Sequence, residues 1–347
     1  MITTCRDLRP ERIFLVYDLE APLEPALAIC DPHHHLWDRP SDRYFLDDLI
    51  RDTNTGHNIV ATVAVECRAM YRKEGSAAMK PVGETEFLEM VAAQASSDPS
   101  ITTMVAAAIV GHADLTLGDT VAPVLEAHLA ASPERFRGIR HSTTWDASES
   151  IRSDARMGLL ADSGFRRGFA CLQRYGLSFD AWLYHPQLLE LADLARVFPE
   201  VTIVLDHIGG PLGVGPYGGK REEVLLAWKK GIAELARCPN ATVKLGGLGS
   251  DRSGFDWHER GSPPASAELA TAMAPYFDFC IEKFGVERCM FESNFPVEKR
   301  VNSYVVVWNA FKRFTQSYSA TERQALFHDT ASRVYRFAPS AGNKRSG

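Results

Sequence analysis

The chain has no CxxC pair, no basic stripe, no glycine-rich first βα turn and no long apolar run. Each absence excludes something. No hydrophobic stretch approaches the roughly 20 residues that a membrane-spanning helix needs, so no membrane partner is expected. Lys and Arg are scattered among a larger number of acids, with a net charge of −6, which argues against nucleic acid as a partner. The first residues form no secretory signal, because the apolar stretch Ile13–Tyr17 is short and sits among charges. The seven cysteines, at 5, 30, 67, 171, 238, 280 and 289, are odd in number and widely spaced. They read as buried thiols of a reducing compartment, and a cytoplasmic location is expected. None lies near a candidate base in sequence, so no cysteine nucleophile is assigned.

What is present is an ordinary globular balance, 45% hydrophobic and 24% charged over 347 residues. Short β-rich runs alternate with amphipathic helices. The strand candidates are 28–31, 59–66, 102–110, 136–141, 177–183, 201–206, 241–245 and 289–293. Several are nearly all apolar, as strands covered on both faces are. Between them lie helical stripes such as Val121, Val124, Leu125 and Leu129. Ser266 reads as the N-cap of a helix that stops at Gly285. Eight strands alternating with helices predict an α/β fold, a (β/α)₈ TIM barrel in a single domain. A doubly wound sheet would open on a glycine-rich turn, and here the first strand runs into Asp31-Pro32-His33-His34-His35 instead. Residues 1–27 read as an N-terminal extension, 28–340 as the barrel and 341–347 as a flexible tail. Two long loops, 68–84 and 246–264, follow strands two and seven at the face where such barrels carry their chemistry.

Side chains alternate along a strand, so His33 and His35 share a face, and two imidazoles there can grip one divalent metal. A pair of satisfied polar histidines would read the same way. His207 sits just past the sixth strand, before Gly209-Gly210-Pro211, which permits a sharp turn. His33, His35 and His207 are therefore candidate catalytic residues and candidate metal ligands. Arg140, ending the fourth strand, could fork onto a substrate carboxylate or pair with Glu66 or Glu292. His141, Tyr184 and Trp257 are candidate pocket residues, and Arg68 heads a cationic loop with Arg72 and Lys73. On the eighth strand Glu292 and Asn294 share a face, with Glu292 about 6–7 Å deeper. Both are candidate catalytic residues, and Glu292 reads either as a structural carboxylate paired with Arg140 or Lys244 or as the proton-transfer residue beside a hydrogen-bonding Asn294.

Four segments taken in order resemble the amidohydrolase-related TIM-barrel hydrolases, nearest to the sugar-lactone and pyrone-dicarboxylate lactonases. They are Asp31–Trp37, Gly138–His141, Leu205–Pro211 and Arg288–Pro296. The resemblance implies a hydrolytic site in which strand-borne histidines and a strand-eight aspartate hold a metal or a water. It leaves the cofactor open between a divalent metal, zinc first, and none. Where the family has that aspartate, this chain has Asn294, which is neutral and a weaker ligand. The reading is thus hydrolysis of a small carboxylated cyclic ester by water attack. A decarboxylase or hydratase of an aromatic or muconate-type acid, or a non-catalytic barrel, is the alternative. The expected partner is a small anionic molecule, and a homo-oligomer stays open.

Overall fold

The computed structural model describes residues 20–40 and 42–337. The tail expected at 341–347 and most of the N-terminal extension lie outside the described residues. Eight parallel strands form one sheet in sequential order. They are β1 (Ala28–His34), β2 (Asn58–Val65), β3 (Met104–Gly111), β4 (Phe136–Arg140), β5 (Ser178–Ala181), β6 (Ile203–Leu205), β7 (Ala241–Leu245) and β8 (Cys289–Phe291). The sheet closes on itself through the residues just after β8. Asn294 N donates to His33 O at 3.0 Å, and His35 N to Phe295 O at 2.8 Å. Asp31 reinforces this seam, because its carboxylate accepts Ser293 N and Tyr304 Oη at 3.0 and 2.9 Å, and the Ser293 hydroxyl as well. The TIM barrel expected from the alternation is the fold.

The strands are where the apolar runs placed them, because a strand buried on both faces must be apolar throughout. In β3, Val105 to Val110 are all buried. β6 and β8 are shorter than their runs, whereas β7 fills its run. The chain leaves the sheet at Asp206 and Glu292, so these side chains sit at strand ends over the mouth. The outer helix Ser163–Tyr175 is capped at both ends. Asp162 accepts Phe165 N at 2.8 Å, and Gly176 ends the same helix at φ 61°. Ser266 is a correction: it is the first helical residue, and Glu20 accepts its N–H at 2.8 Å. A short antiparallel ribbon, Trp37–Arg39 with Asp42–Tyr44, follows β1 and was not expected. At the opposite pole the C-terminal segment plugs the barrel, with Tyr335 and Phe337 packed among Val63, Ala107, Val204 and Met290.

Candidate active site

The barrel interior above that plug is ionic. Lys244, on β7, is fully buried and reaches Asp180 Oδ2 at 2.8 Å and Asp206 Oδ1 at 3.0 Å. Tyr335 donates to the same Asp180 oxygen at 2.6 Å. Arg140 Nε donates to Glu66 Oε1 at 2.9 Å, a second guanidinium nitrogen to the Glu66 carbonyl, and Nη1 lies 3.5 Å from Asp206 Oδ2. Burial works against both cations, yet the facing carboxylates hold them charged beyond their ordinary range. Burial likewise opposes Asp206, but Lys244 and the neighbouring imidazoles hold its carboxyl well below the usual range.

One layer higher, Glu292 binds two histidines. Its Oε1 accepts the His207 backbone N–H at 2.9 Å and its Nδ1 at 2.6 Å, and its Oε2 lies 2.8 Å from His33 Nδ1. Burial opposes ionisation, but these contacts bring the carboxyl down to about 2. His207 is lowered as well, chiefly by burial, below the ordinary imidazole range, so the ring is neutral with its proton on Nδ1. Its backbone is left-handed, φ 52°, and so are the next three residues. Such a conformation costs a non-glycine residue about 1–2 kcal/mol. The Glu292 contact and the close approach of Gly247 hold it: a Cβ on Gly247, itself at φ 73°, would lie 2.5 Å from His207 Cβ.

The expected residues divide into two groups. His33 and His207 converge, with ring centroids 4.5 Å apart. His35 shares their side, 4.9 Å from the His33 ring, but its Nδ1 is spent on Val65 O at 2.8 Å. His34 turns away. Asn294 lies above Glu292, its Oδ1 buried and unpartnered. Arg140 resolves to the ion pair with Glu66. Glu292 is a correction: its partners are His207 and His33, with Arg140 and Lys244 taken by other acids. Its depth does not isolate it, because His207 comes down to meet it.

The remaining candidates stand apart from this cluster. His141 packs against Phe165 at 5.5 Å and takes Leu115 N on Nδ1 at 3.2 Å, facing a surrounding helix. Tyr184 is buried and donates to Arg152 O at 2.6 Å. Trp257 stacks on Phe255 at 4.4 Å within the β7 loop. Arg68 stands at the exposed rim, 3.8 Å from Asp154. Next to the mouth, loops after β4, β6 and β7 enclose a cleft of about 390 Å³ lined by Ile151, Arg152, Val214, Asp251 and Arg252 among others. Arg252 lies 5.9 Å over Trp182, whose ring edge meets His207 at 4.9 Å.

Ligand atoms of His33, Asp206 and His207 lie within 4.8 Å of one another. Two imidazoles and a carboxylate form a donor set that suits zinc, and an open position remains for water. Asp206 joins His33 and His207 in this group, and His35 lies beside it, 4.9 Å from the His33 ring. Two further observations fit an ion. Both Asp206 oxygens and Glu292 Oε2 are buried without an aligned hydrogen bond. Among the described residues, the interior carboxylates Glu66, Asp180, Asp206 and Glu292 also face two fixed cations, Arg140 and Lys244. The group can hold a divalent metal. Asp206 and Lys244 are the site residues that sequence reasoning left without this role, although Asp206 directly precedes His207.

Comparison with known proteins bears on this site. The family model described as Amidohydrolase matches residues 30–337. An uncharacterized protein of Sinorhizobium fredii is 34% identical over 327 residues, 89% of this chain and 99% of that one. The L-fucono-1,5-lactonase of Burkholderia multivorans is 29% identical over 321 residues, 88% of this chain and 95% of its own. A crystal structure of an amidohydrolase from Burkholderia multivorans with bound zinc has a TM-score of 0.70 to this chain. The two are 26% identical, and the match covers 90% of this chain and 100% of that one.

Proposed function

Because the chain belongs to the amidohydrolase family and is a hydrolase of that superfamily, we propose that it opens a small hydroxylated lactone with water. The observation that carries this reading is the double hold of Glu292 Oε1 on the backbone and ring N–H groups of His207. That contact fixes the tautomer and leaves the Nε2 lone pair without a partner among the described residues. In the ion-free protein this lone pair takes the proton of the attacking water, with Glu292 stabilising the imidazolium that forms. A divalent ion on His33, Asp206 and His207 would supply Lewis acidity to the lactone carbonyl and lower the pKa of a bound water.

We infer a substrate less charged than the sequence alone suggests. Arg140 is nine-tenths buried and paired with Glu66, Arg72 is paired with Glu86, and Arg68 is beside Asp154. Cations already matched by acids offer little to a substrate carboxylate. The mouth instead presents Trp182 and the mixed acids and arginines of the rim cleft, which suit hydroxyl groups. The name of the Burkholderia multivorans relative, a sugar lactonase, agrees with that choice.

The test is acid release in a pH-stat from two panels, neutral aldonolactones and ring-carboxylated lactones. Faster turnover of the neutral panel is expected. A strong preference for the carboxylated panel would overturn the substrate class, and release of carbon dioxide in place of acid would overturn the reaction.

A further inference from the structure

The aspartate absent from position 294 leaves a specific gap, and a second carboxyl stands next to it. Glu298 lies one turn beyond Asn294, after β8, and is 4% exposed. Its N–H donates to Asn294 O at 3.2 Å, and Asn294 Nδ2 reaches its Oε1 at 3.5 Å. Asn294 Oδ1, buried and without a partner, is the unused acceptor beside it. From the other side Gly249 presses so closely that a Cβ there would fall on Glu298 Oε2. The carboxyl is therefore clamped between the loops that follow β7 and β8, at the mouth. Among the described residues two acids face it, Glu292 from the end of β8 and Asp251 from the β7 loop. No cation pairs with it among the described residues.

We propose that Glu298 is a proton donor of this site, giving its proton to the ring oxygen of the lactone while Asn294 positions it. The inference rests on the lactone-opening reading. Water oxygen bonds to the carbonyl carbon and its proton passes to His207 Nε2. The bond from carbonyl carbon to ring oxygen breaks, and that oxygen takes the proton of Glu298. The hydroxy acid leaves, and the proton on His207 returns to Glu298 through water at the mouth. An alkoxide is a poor leaving group, so a neutral acid at this point is worth roughly 10²–10⁴ in rate.

Burial chiefly, then Glu292 and Asp251, raise the Glu298 carboxyl to about 8, so it carries a proton at neutral pH. The neutral amide at 294 fits this role. A second carboxylate would compete for that proton, whereas an amide leaves it on Glu298.

The experiment compares wild type, Glu298→Gln and Asn294→Asp on an alkyl lactone and on an aryl lactone whose oxygen leaves as a phenolate. Wild-type kcat on the alkyl lactone should fall as pH rises through about 8. Glu298→Gln should lose roughly 10²–10⁴ of kcat there, little on the aryl lactone, and show no alkaline limb. Asn294→Asp should move that limb to higher pH by adding a charge beside the acid. Equal losses on the two lactones, or an alkaline limb unchanged in both variants, would overturn the role of Glu298 and leave the hydrolase reading standing. A wild type that opens neither lactone would overturn both. The urea midpoint of Glu298→Gln relative to wild type gives a readout without turnover. It should rise between pH 5 and pH 8, because the unfolded wild-type chain ionises there while the folded one holds its proton. A flat difference would remove the protonated acid.

Discussion

Glu292 Oε1 accepts both N–H groups of His207, the backbone at 2.9 Å and the ring Nδ1 at 2.6 Å. One carboxylate oxygen thereby sets the position and the tautomer of the ring. Glu292→Gln keeps the shape but removes the charge that stabilises an imidazolium. We expect kcat to fall by roughly 10²–10⁴ with KM little changed. Steady-state kinetics checks this, and a Gln variant with wild-type kcat would show that the contact serves packing alone.

Lys244 is the second group on which the site depends. Its loss leaves Asp180 and Asp206 buried without their shared cation. Lys244→Met should cost about 3–5 kcal/mol in urea denaturation. The double variant with Asp180→Asn should recover part of it, since one of the two stranded charges is gone. A Lys244→Met protein as stable as wild type would contradict the ionic core.

The strands and the histidines were legible in the sequence because strands buried on both faces leave continuous apolar runs, and polar residues at their ends are conspicuous. The partners were not. Lys244 sits within Val243-Lys244-Leu245, and nothing local shows that it reaches Asp180 across the intervening strand β6. Glu292 was legible as inward-facing, but its contact with His207 depends on a left-handed turn that brings the ring down. Alternation could not place His141 or Tyr184, because the strands carrying them end at Arg140 and Ala181. Past those points the period-2 rule no longer applies.

His141→Phe follows from that observation. The ring lies against Phe165, outside the cluster of His33, His207 and Glu292. Turnover should be unchanged within error while the melting temperature shifts slightly. A large loss of kcat at full stability would return His141 to the site.

Acid stability should be governed by buried histidines. Burial chiefly brings His57, His128, His141 and His185 each to about 4. Below the ordinary value near 6.5, the unfolded chain takes up protons that the folded chain refuses, so stability falls as pH falls toward 4. The urea midpoint should decline over that window. His128→Gln should make the decline shallower, although it loosens the contacts of that ring with Thr85 and His112. A midpoint independent of pH between 6.5 and 4 would contradict these neutral rings.

The central claim is that His207, held by Glu292, activates the water that opens a lactone. Its most direct test is acid release from a neutral aldonolactone by wild type and by His207→Gln, each with its metal content measured. Wild type should release acid rapidly, and the variant should lose at least about 10²-fold with the fold intact. No release by wild type, or a His207→Gln protein that turns over at the wild-type rate, would contradict it.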